Sequence, residues 1–445
     1  MRLTVLGGGG FRVPLVYAAL LRDDSPGRVT EVVLHDHDDT RLRAISQVLA
    51  QLADECPDPP GVRATRDLDE ALRGADFVFS AIRVGGLVGR TRDERIALDL
   101  GILGQETTGP GGLAYALRTV PVALDIAERA RRLAPEAWFI NFTNPAGIVT
   151  EAMQSVLGDR VVGICDSPIA LARRAIDALE LDHDTVEIDY VGLNHLGWLR
   201  ALRLDGEDQL PRLLGDAERL LRLEEGRLFG PEWLATLGAL PNEYLYYYYF
   251  TREAIASIIA APQTRGEFLL DQQSAFYDRV AREPDLAAAE WRRVREARDA
   301  SYMREARAEG EERDDEDVAG GGYEGVALAI MAAISRGKPA RMILNVRNGD
   351  AVPGLPRDAV VEVPCTVDQD GPRALPCPPA SGHMLGLMQQ VKAVERHVIE
   401  AVVTGSADAA LNAFALHPLV DSVSTARRLL AGYRAASPEI DALLS

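Results

Sequence analysis

Residues 3–21 read LTVLGGGGFRVPLVYAALL, and this segment gives the clearest structural signal in the chain. Leu3 to Leu6 form a short apolar run that ends at Gly7 to Gly10, and Pro14 then opens a helix-like stretch. The segment therefore predicts a strand, a tight turn and a helix. In such a turn, backbone N–H groups can approach a pyrophosphate at the helix N-terminus, where the helix dipole favours the anion.

Strands and helices continue to alternate along the N-terminal part of the chain. The apolar runs predict further strands at Glu31 to His35, Phe77 to Ala81, Trp138 to Phe142, Val161 to Ile164 and Ile188 to Leu193. Helices are predicted at Thr40 to Leu52 and at Leu113 to Leu133. This alternation implies βαβ units, so we expect an α/β protein with a Rossmann-like, doubly wound parallel sheet.

The pattern changes after about Leu199, where long segments rich in Ala, Leu, Arg and Glu predict helices. One of them, Leu286 to Ala308, runs into an acidic stretch at Glu309 to Asp317 that is typical of a solvated loop. Residues 353–379 are dense in Pro, Val and turn residues and predict loops with antiparallel strands, and helix returns from about Met384.

A chain of 445 residues exceeds the size at which one hydrophobic core usually stops growing. We therefore expect either two domains or one elaborated α/β domain, and the two-domain division is the one predicted here. Residues 1–195 are predicted to form a dinucleotide-binding, Rossmann-like domain. Residues 196–445 are predicted to form a second α+β, largely helical domain that carries catalytic, substrate and oligomer contacts.

The charge of the chain restricts its partners. A net charge of −19 and a pI near 4.9 argue against a nucleic-acid or anionic-membrane surface, so a small-molecule partner is expected. The longest run without a formal charge, Ala374 to Val391, is interrupted by prolines and predicts no membrane segment. Four scattered cysteines and a chain start that runs straight into a strand favour a cytoplasmic protein.

Two signals together favour NAD as the ligand of the glycine turn. The turn departs from G-x-G-x-x-G because Arg12 occupies the third glycine position. Asp36, however, ends the second strand, where a carboxylate accepts hydrogen bonds from a ribose diol. The alternative is a structural turn beside a surface aspartate. The candidate cofactor-binding residues here are Gly7, Gly8, Gly9, Gly10, Phe11, Arg12 and Asp36.

Cys165 and His195 each follow an apolar run that is typical of a strand. In open α/β sheets ligands collect outside the carboxyl ends of the strands, and a thiolate and an imidazole can together fix a divalent cation. Alone, a cysteine is more often a core residue and a histidine more often a satisfied one. Because both side chains are expected at the carboxyl ends of strands, the pair together predicts a metal site beside the nicotinamide.

Three further segments carry polar or aromatic signals. Asn141 to Pro145 follows a predicted strand and places amides where a nicotinamide and sugar hydroxyls would lie, although Asn-Pro is also a common turn. Arg83 to Arg118 is a glycine-dense long loop, typical of close backbone approach to a ligand or of a flexible surface. Tyr244 to Tyr249 contains five tyrosines, most of which are expected in the core, with one or two facing the site.

The most specific motifs are Gly7 to Pro14, Arg83 to Gly86, Gly104 to Gly112, Asn141 to Pro145, Gly163 to Asp166, Gly192 to His195, Tyr244 to Tyr247 and His417 to Leu419. This ordered set resembles the NAD- and metal-dependent glycosidases of family 4, and within that family the 6-phospho-β-glucosidases. The resemblance covers nearly the whole chain.

The resemblance implies a redox-assisted elimination. A hydride leaves C3 of the sugar for NAD+, the new ketone acidifies the C2 proton, a tyrosine removes that proton, and the glycosidic oxygen departs with acid help. Water then adds and the hydride returns. A metal held by Cys165 and His195 would bind the sugar oxygens. Ligand softness alone suggests zinc, whereas the family uses Mn2+.

Site roles follow from the resemblance. Asp166 is the expected proton donor, and Tyr244 the base, with Tyr247 as the second candidate for that role. Glu106 would lie near that tyrosine. The sugar contacts would be Arg90 and Asn144, with Arg265 on the 6-phosphate and Asn141 near the cofactor.

One departure bears on the substrate. Family members carry an Arg-Gly-Gly stretch where this chain has Val318 to Gly322. The substrate could therefore be an unphosphorylated or α-linked glycoside. The nucleotide-binding start of the chain is also compatible with a malate- or lactate-type dehydrogenase or with an NAD-responsive regulatory protein. A homodimer or homotetramer is expected.

Overall fold

The computed structural model describes residues 1–300 and 322–445. The strands of this part are β1 (Arg2–Leu6), β2 (Glu31–His35), β3 (Gly61–Thr65), β4 (Phe77–Ser80), β5 (Trp138–Asn141), β6 (Val161–Gly163), β7 (Glu187–Leu193), β8 (Leu196–Leu204), β9 (Glu207–Asp208), β10 (Leu240–Pro241), β11 (Ala340–Arg347), β12 (Val360–Asp368) and β13 (Gly371–Ala374).

The helices of the first half are α1 (Val13–Leu21), α2 (Asp39–Ala53), α3 (Leu68–Leu72), α4 (Gly86–Leu98), α5 (Pro110–Leu133), α6 (Ala146–Leu157) and α7 (Ser167–Ala178). Those of the second half are α8 (Leu210–Leu214), α9 (Ala217–Leu220), α10 (Glu224–Phe229), α11 (Pro231–Leu237), α12 (Tyr246–Tyr249), α13 (Thr251–Ala260), α14 (Arg265–Arg282), α15 (Ala287–Ala300), α16 (Tyr323–Arg336), α17 (Gly382–Thr404), α18 (Ala407–Ala415), α19 (Val423–Ala436) and α20 (Pro438–Leu443).

Six parallel strands form the N-terminal half of the sheet in the order β3-β2-β1-β4-β5-β6. This is the strand order of a doubly wound dinucleotide-binding fold. The predicted Rossmann-like, doubly wound sheet is confirmed. Because successive side chains of a strand point to opposite faces, Phe77 and Phe79 of β4 join one hydrophobic cluster and Val78 joins another.

The second half of the sheet is antiparallel, and its strand order departs from the chain order. β11 and β12 come from the C-terminal part of the chain, yet they lie between β6 and β7. The strand before His195 therefore does not belong to the parallel set, contrary to the prediction from its apolar run. It forms an antiparallel hairpin with β8, closed by the two residues Asn194 and His195.

One row of register partners crosses the sheet. Each residue of the row pairs with the next: Leu6, Ser80, Asn141, Gly163, Asn345, Glu362 and Gly192. The glycine turn follows Leu6 directly, and Cys165 follows Gly163 by two residues. His195 follows Gly192 by three residues. This row of paired residues therefore connects the strands that lead to the glycine turn, to Cys165 and to His195.

The prediction of a long loop from Arg83 to Arg118 was wrong. Most of it is helical, because α4 begins at Gly86 and α5 begins at Pro110. The glycine density of the segment hid α4, since glycine disfavours helix interiors. Irregular backbone remains around residues 99–109, between the two helices.

The strands and helices predicted for the C-terminal part are largely present. Antiparallel β12 and β13 confirm the strands expected within residues 353–379, and α17 confirms the helix expected from about Met384. The helix predicted from Leu286 begins as α15, but the end of that predicted helix, the acidic stretch Glu309 to Asp317 and most of the run Val318 to Gly322 lie outside the described residues. The predicted boundary at residue 195 stays a prediction.

Candidate active site

The glycine turn lies against the end of β2. Gly7 and Gly8 both donate backbone N–H groups to the carbonyl oxygen of His35, at 3.0 and 2.8 Å. Gly7 has a φ of +79°, and a Cβ there would lie 2.6 Å from the carbonyl oxygen of Ala81. The N–H of Gly9 donates to Asp36 Oδ2 at 3.0 Å. Asp36 therefore lies at the turn, where its position after the second strand had predicted it.

Three aromatic residues from the C-terminal half bind the carbonyl oxygens of the same turn. Tyr277 donates its hydroxyl to Gly9 at 2.7 Å, and Trp291 donates its indole N–H to Phe11 at 2.9 Å. Tyr323 donates to the carbonyl oxygen of Arg12 at 2.8 Å. We did not predict these residues, and no local signal marks them, because the contacts join helices more than 250 residues away in sequence.

The guanidinium of Arg12 lies over two aromatic rings. Its Cζ is 5.7 Å from the centre of the Phe142 ring and 5.4 Å from the centre of the Tyr323 ring, and these rings stack on each other at 4.0 Å. Cation–π contacts of this kind help to fix the position of a guanidinium. Phe142, the first residue after β5, therefore contacts the glycine turn through the guanidinium of Arg12.

Asn141 ends β5 and is fully buried. Its amide nitrogen donates to Thr150 Oγ1 at 3.1 Å, and its amide oxygen accepts from the N–H of Thr143 at 3.1 Å. These bonds shape the turn that leads to Asn144. Asn144 is half-buried, and its Oδ1 is buried without a hydrogen-bond partner among the described residues. Contact of Asn141 with the cofactor and of Asn144 with the sugar stays a prediction.

Glu106 lies between two guanidinium groups. Arg83 Nη2 is 2.6 Å from Glu106 Oε2, and Arg90 Nη1 is 2.7 Å from Glu106 Oε1. Burial by itself raises the pKa of the Glu106 carboxyl, but the charges of Arg83 and Arg90 outweigh burial and lower the pKa to about 2. Glu106 is therefore ionised at neutral pH. Arg83 was not among the predicted site residues.

Arg265 and Arg298 belong to the same basic region. Arg265 donates from Nη2 to the backbone carbonyl of Arg298 at 3.0 Å. Burial and the charges of Arg12, Arg265 and Arg90 lower the pKa of Arg298 well below its usual range. The charge of Glu106 opposes this shift, and a cluster of guanidinium charges favours a nearby anion, since an anion offsets their mutual repulsion. Arg298 is an addition to the predicted site.

Cys165 and Asp166 leave the end of β6 together. Cys165 is buried, and burial together with the carboxylates of Glu362 and Asp166 raises the pKa of its thiol well above the usual range. Asp166 is half-buried at the N-cap of α7, but its side chain does not cap the helix. The carboxyl of Asp166 is thus not used to cap α7.

His195 occupies the β7–β8 turn with a φ of +62° and is 7% exposed. Its ring stacks on that of Tyr244, with centroids 3.7 Å apart and an interplanar angle of 10°. Burial lowers the pKa of His195 to about 3, although the charge of Glu106 opposes this shift. The imidazole is therefore neutral, as metal coordination requires.

Tyr244 is half-buried, whereas Tyr247 is 1% exposed, with its ring centre 6.3 Å from that of Tyr244. The expectation that most of this tyrosine run packs in the core agrees with Tyr246 and Tyr247, which are both buried. The structure therefore leaves Tyr244 as the more accessible phenol beside His195.

The residues present fit a nucleotide and a metal. His195 Nδ1 is buried without a partner among the described residues, as is Asn144 Oδ1. Within the described chain, no three His, Cys, Asp or Glu side chains come together as a metal cage, so a metal here would need oxygen ligands from outside such a cluster. The glycine turn at the start of α1 supplies the backbone approach that a pyrophosphate needs.

Two family models match the chain. The model described as Family 4 glycosyl hydrolase matches residues 2–181, and the model described as Family 4 glycosyl hydrolase C-terminal domain matches residues 190–420. The probable 6-phospho-beta-glucosidase of Bacillus subtilis is 32% identical over 441 residues, which cover 97% of this chain and 95% of that protein.

Solved structures agree with the family models. The 6-phospho-beta glucosidase from Thermotoga maritima, solved with NAD and glucose-6-phosphate, gives a TM-score of 0.82 at 27% identity and covers 99% of both chains. The 6-phospho-alpha-glucosidase from gut microorganisms, solved with NAD and Mn2+, gives a TM-score of 0.82 at 26% identity, with 99% of this chain and 98% of that chain covered.

No helix within the described residues is long and apolar enough to cross a lipid bilayer.

Proposed function

The chain belongs to family 4 of the glycosyl hydrolases, and from this membership we propose that it hydrolyses 6-phospho-β-glucosides with NAD+ and a divalent metal, Mn2+. The relatives named 6-phospho-beta-glucosidases match nearly the whole chain. Membership in a hydrolase family argues against a dehydrogenase and against a regulatory protein.

The observation that carries the proposal is the position of the His195 ring. It stacks face to face on Tyr244 and lies within electrostatic range of Glu106. A predicted metal ligand, the predicted base and a predicted acidic partner of that base are thus brought together from three separate segments. Such convergence is what a proton transfer beside a metal requires.

When bound, NAD+ supplies a hydride acceptor and the metal supplies a Lewis acid. Cys165 and His195 are the residues that would hold the metal. Tyr244 is the proposed base for the proton at C2 of the sugar, because its phenol is less buried than that of Tyr247. Asp166 is the proposed donor of a proton to the departing glycosidic oxygen, since its carboxyl is not used as a helix cap.

We assign Arg90 and Asn144 to the sugar hydroxyls and Arg265, together with Arg298, to the 6-phosphate. A phosphate would offset the repulsion among the guanidinium groups that surround Arg298. The arginine that family members carry near Tyr323 is replaced here by the run Val318 to Gly322. Arg298 is therefore a candidate to supply the missing positive charge.

The test is hydrolysis of p-nitrophenyl 6-phospho-β-glucoside by the purified protein. We expect turnover that requires both NAD+ and Mn2+ and that slows when the C2 hydrogen is replaced by deuterium. Activity that survives complete removal of NAD+ would contradict the mechanism. Faster cleavage of the α anomer, or of the unphosphorylated glucoside, would instead make that glycoside the substrate.

Arg265→Gln tests the phosphate assignment. Loss of a charge-assisted hydrogen bond of about 1.5–3 kcal/mol should raise KM for the phosphorylated glucoside roughly 10- to 100-fold. Arg282→Gln, at the exposed end of the same helix, is the matched control and should leave KM unchanged. An unchanged KM in Arg265→Gln would remove this residue from the phosphate site.

We also infer a cytoplasmic enzyme that forms a homodimer or homotetramer. The free state of all four cysteines is compatible with a reducing compartment. Light scattering coupled to size-exclusion chromatography would determine the number of subunits.

A further inference from the structure

A buried carboxylate acts electrostatically on the predicted metal ligand Cys165 and has no role in the proposed catalytic steps. Glu362 of β12 is fully buried. Its Oε2 accepts a hydrogen bond from the Tyr190 hydroxyl at 3.0 Å, and its Oε1 accepts from Asn345 Nδ2 at 2.9 Å and from Asn194 Nδ2 at 3.4 Å. These three donors are uncharged, so they do not neutralise the carboxylate.

The donors to Glu362 lead directly to both predicted metal ligands. Asn194 precedes His195 in the hairpin turn, and its Oδ1 accepts from the N–H of Ala146 at 3.1 Å. Asn345 is the register partner of Gly163, two residues before Cys165. One side chain is therefore connected to the strand that ends at the thiol and to the turn that carries the imidazole.

The neighbourhood of the thiol is strongly acidic. The charges of Glu362 and Asp166 both act on Cys165, and the charge of Asp166 acts on Glu362. Within residues 1–300 and 322–445, no cationic side chain pairs with Glu362. A carboxylate that is buried without a cationic partner costs several kcal/mol of desolvation free energy. A divalent cation bound by Cys165 and His195 would offset that cost, because opposite charges attract strongly in a poorly solvated site.

We propose that Glu362 is the outer carboxylate of the metal site, a positioning residue that fixes the His195 turn through Asn194 and adds negative charge behind the Cys165 sulfur. The proposal rests on the proposed function only in taking Cys165 and His195 as the metal ligands. In metalloproteins, outer partners of this kind commonly contribute about 10- to 100-fold to metal affinity.

The experiment measures Mn2+ binding rather than turnover. Full-length protein saturated with NAD+ is titrated with Mn2+, and free Mn2+ is followed by electron paramagnetic resonance. Glu362→Gln keeps the side-chain shape and removes the negative charge, so we expect Mn2+ affinity to fall at least about tenfold. NAD+ affinity, measured by calorimetry, should remain within about twofold of the parent value because the glycine turn is remote.

Asp189→Asn is the matched control for a purely structural effect. Asp189 is a buried carboxylate on the same hairpin, but it accepts from Arg200 and Arg203, away from the His195 turn. This variant should lose stability and keep its Mn2+ affinity. Equal weakening of Mn2+ binding in Asp189→Asn and Glu362→Gln would overturn the proposal, and so would an unchanged Mn2+ affinity in a folded Glu362→Gln.

Tyr190→Phe provides a second variant if Glu362→Gln does not fold. It removes only the hydroxyl that holds Glu362 Oε2, and we expect Mn2+ affinity to fall about fivefold, for a lost hydrogen bond of roughly 1 kcal/mol. Unchanged affinity would overturn the proposal. Parent protein that binds Mn2+ but cleaves no phosphoglucoside would overturn the proposed function alone, whereas parent protein without Mn2+ affinity would overturn both.

Discussion

Burial and neighbouring charges determine the protonation states of the ionisable side chains around the candidate site. Cys165 is held as a thiol by burial and by adjacent carboxylates, whereas Glu106 is held as a carboxylate by two guanidinium groups. A thiol in these surroundings becomes a thiolate when a cation replaces its proton. The acidic surroundings of Cys165 thus favour metal binding over a reactive free thiolate.

Cys165→Ala should remove Mn2+ binding and turnover together. The loss of Mn2+ affinity should exceed about 100-fold, since a direct ligand is worth more than an outer partner. Cys365→Ala is the matched control, because Cys365 is also a buried thiol and its Sγ lies near the carbonyl oxygen of Val363. Calorimetric titration with Mn2+ makes the comparison, and retained binding in Cys165→Ala would refute the metal assignment.

His417 should make the stability of the fold depend on pH. It is buried and accepts a hydrogen bond at Nδ1 from the N–H of Leu419 at 3.1 Å. Burial lowers the pKa of His417 from 6.5 to about 3. The unfolded chain therefore binds a proton that the folded chain does not, and the free energy of unfolding contributed by His417 is present above pH 6.5 and lost as pH falls toward 3.

His417→Asn keeps an acceptor for Leu419 and removes the titration. Between about pH 7.5 and pH 5, the parent should lose roughly 2 kcal/mol more of its free energy of unfolding than the variant. Urea denaturation of both proteins at the two pH values measures the difference. Equal losses of the free energy of unfolding in the parent and in His417→Asn would mean that His417 is protonated in the folded state over this pH range.

Contacts between helices and strands that lie far apart in the chain could not be predicted from the sequence. Five of the six parallel strands (β1, β2, β4, β5 and β6) and the helices α1, α2 and α5 were predicted to within a few residues, because their hydrophobic periodicity is local. The strand β3 was not predicted. The helix α4 was missed since its glycines disguised it, and the insertion of β11 and β12 beside β6 left no periodic signal. Arg298 acts on residues of the candidate site only through packing between segments far apart in the sequence.

Within the candidate site too, local patterns could be predicted from the sequence and long-range contacts could not. Asp36 was placed at the glycine turn because the end of β2 is adjacent to the end of β1 in this topology. Tyr277 was not, because it lies 268 residues from Gly9 in the sequence and no local pattern marks the contact. Local motifs therefore gave the candidate site residues, and the tertiary structure adds residues such as Tyr277 that contact them from distant segments.

Tyr277→Phe tests whether α14 helps to shape the nucleotide turn. The variant loses the hydrogen bond to the Gly9 carbonyl, so NAD+ affinity should fall about fivefold, for a lost interaction of roughly 1 kcal/mol. Tyr17→Phe is the control, since Tyr17 is also buried and donates to the carbonyl of Pro60 at 2.8 Å. Fluorescence titration with NAD+ should separate the two variants, and equal affinities would exclude a role for α14.

Strands from both predicted domains pair in the same sheet. β7 belongs to the N-terminal segment by sequence, yet it pairs with β8 and β12, which follow residue 195. The strand β6 likewise pairs with β11. An exposed apolar strand edge is unstable in water and promotes aggregation.

A fragment of residues 1–195 should therefore fail to form a stable native state, whereas the full chain should unfold cooperatively. Near-ultraviolet circular dichroism and dye binding to exposed apolar surface would report the difference. A fragment with a sharp thermal transition and no dye binding would show that the boundary at residue 195 separates independent folding units.

The insertion of β11 and β12 between β6 and β7 also affects the order of events during synthesis. The segment that ends at Cys165 and the segment that ends at His195 leave the ribosome well before the two strands that connect them. Until residues 340–368 emerge, the nascent chain exposes an open edge of sheet, a state in which chains aggregate or recruit chaperones. Catalytic competence is therefore acquired late in translation, when the final third of the polypeptide closes the gap.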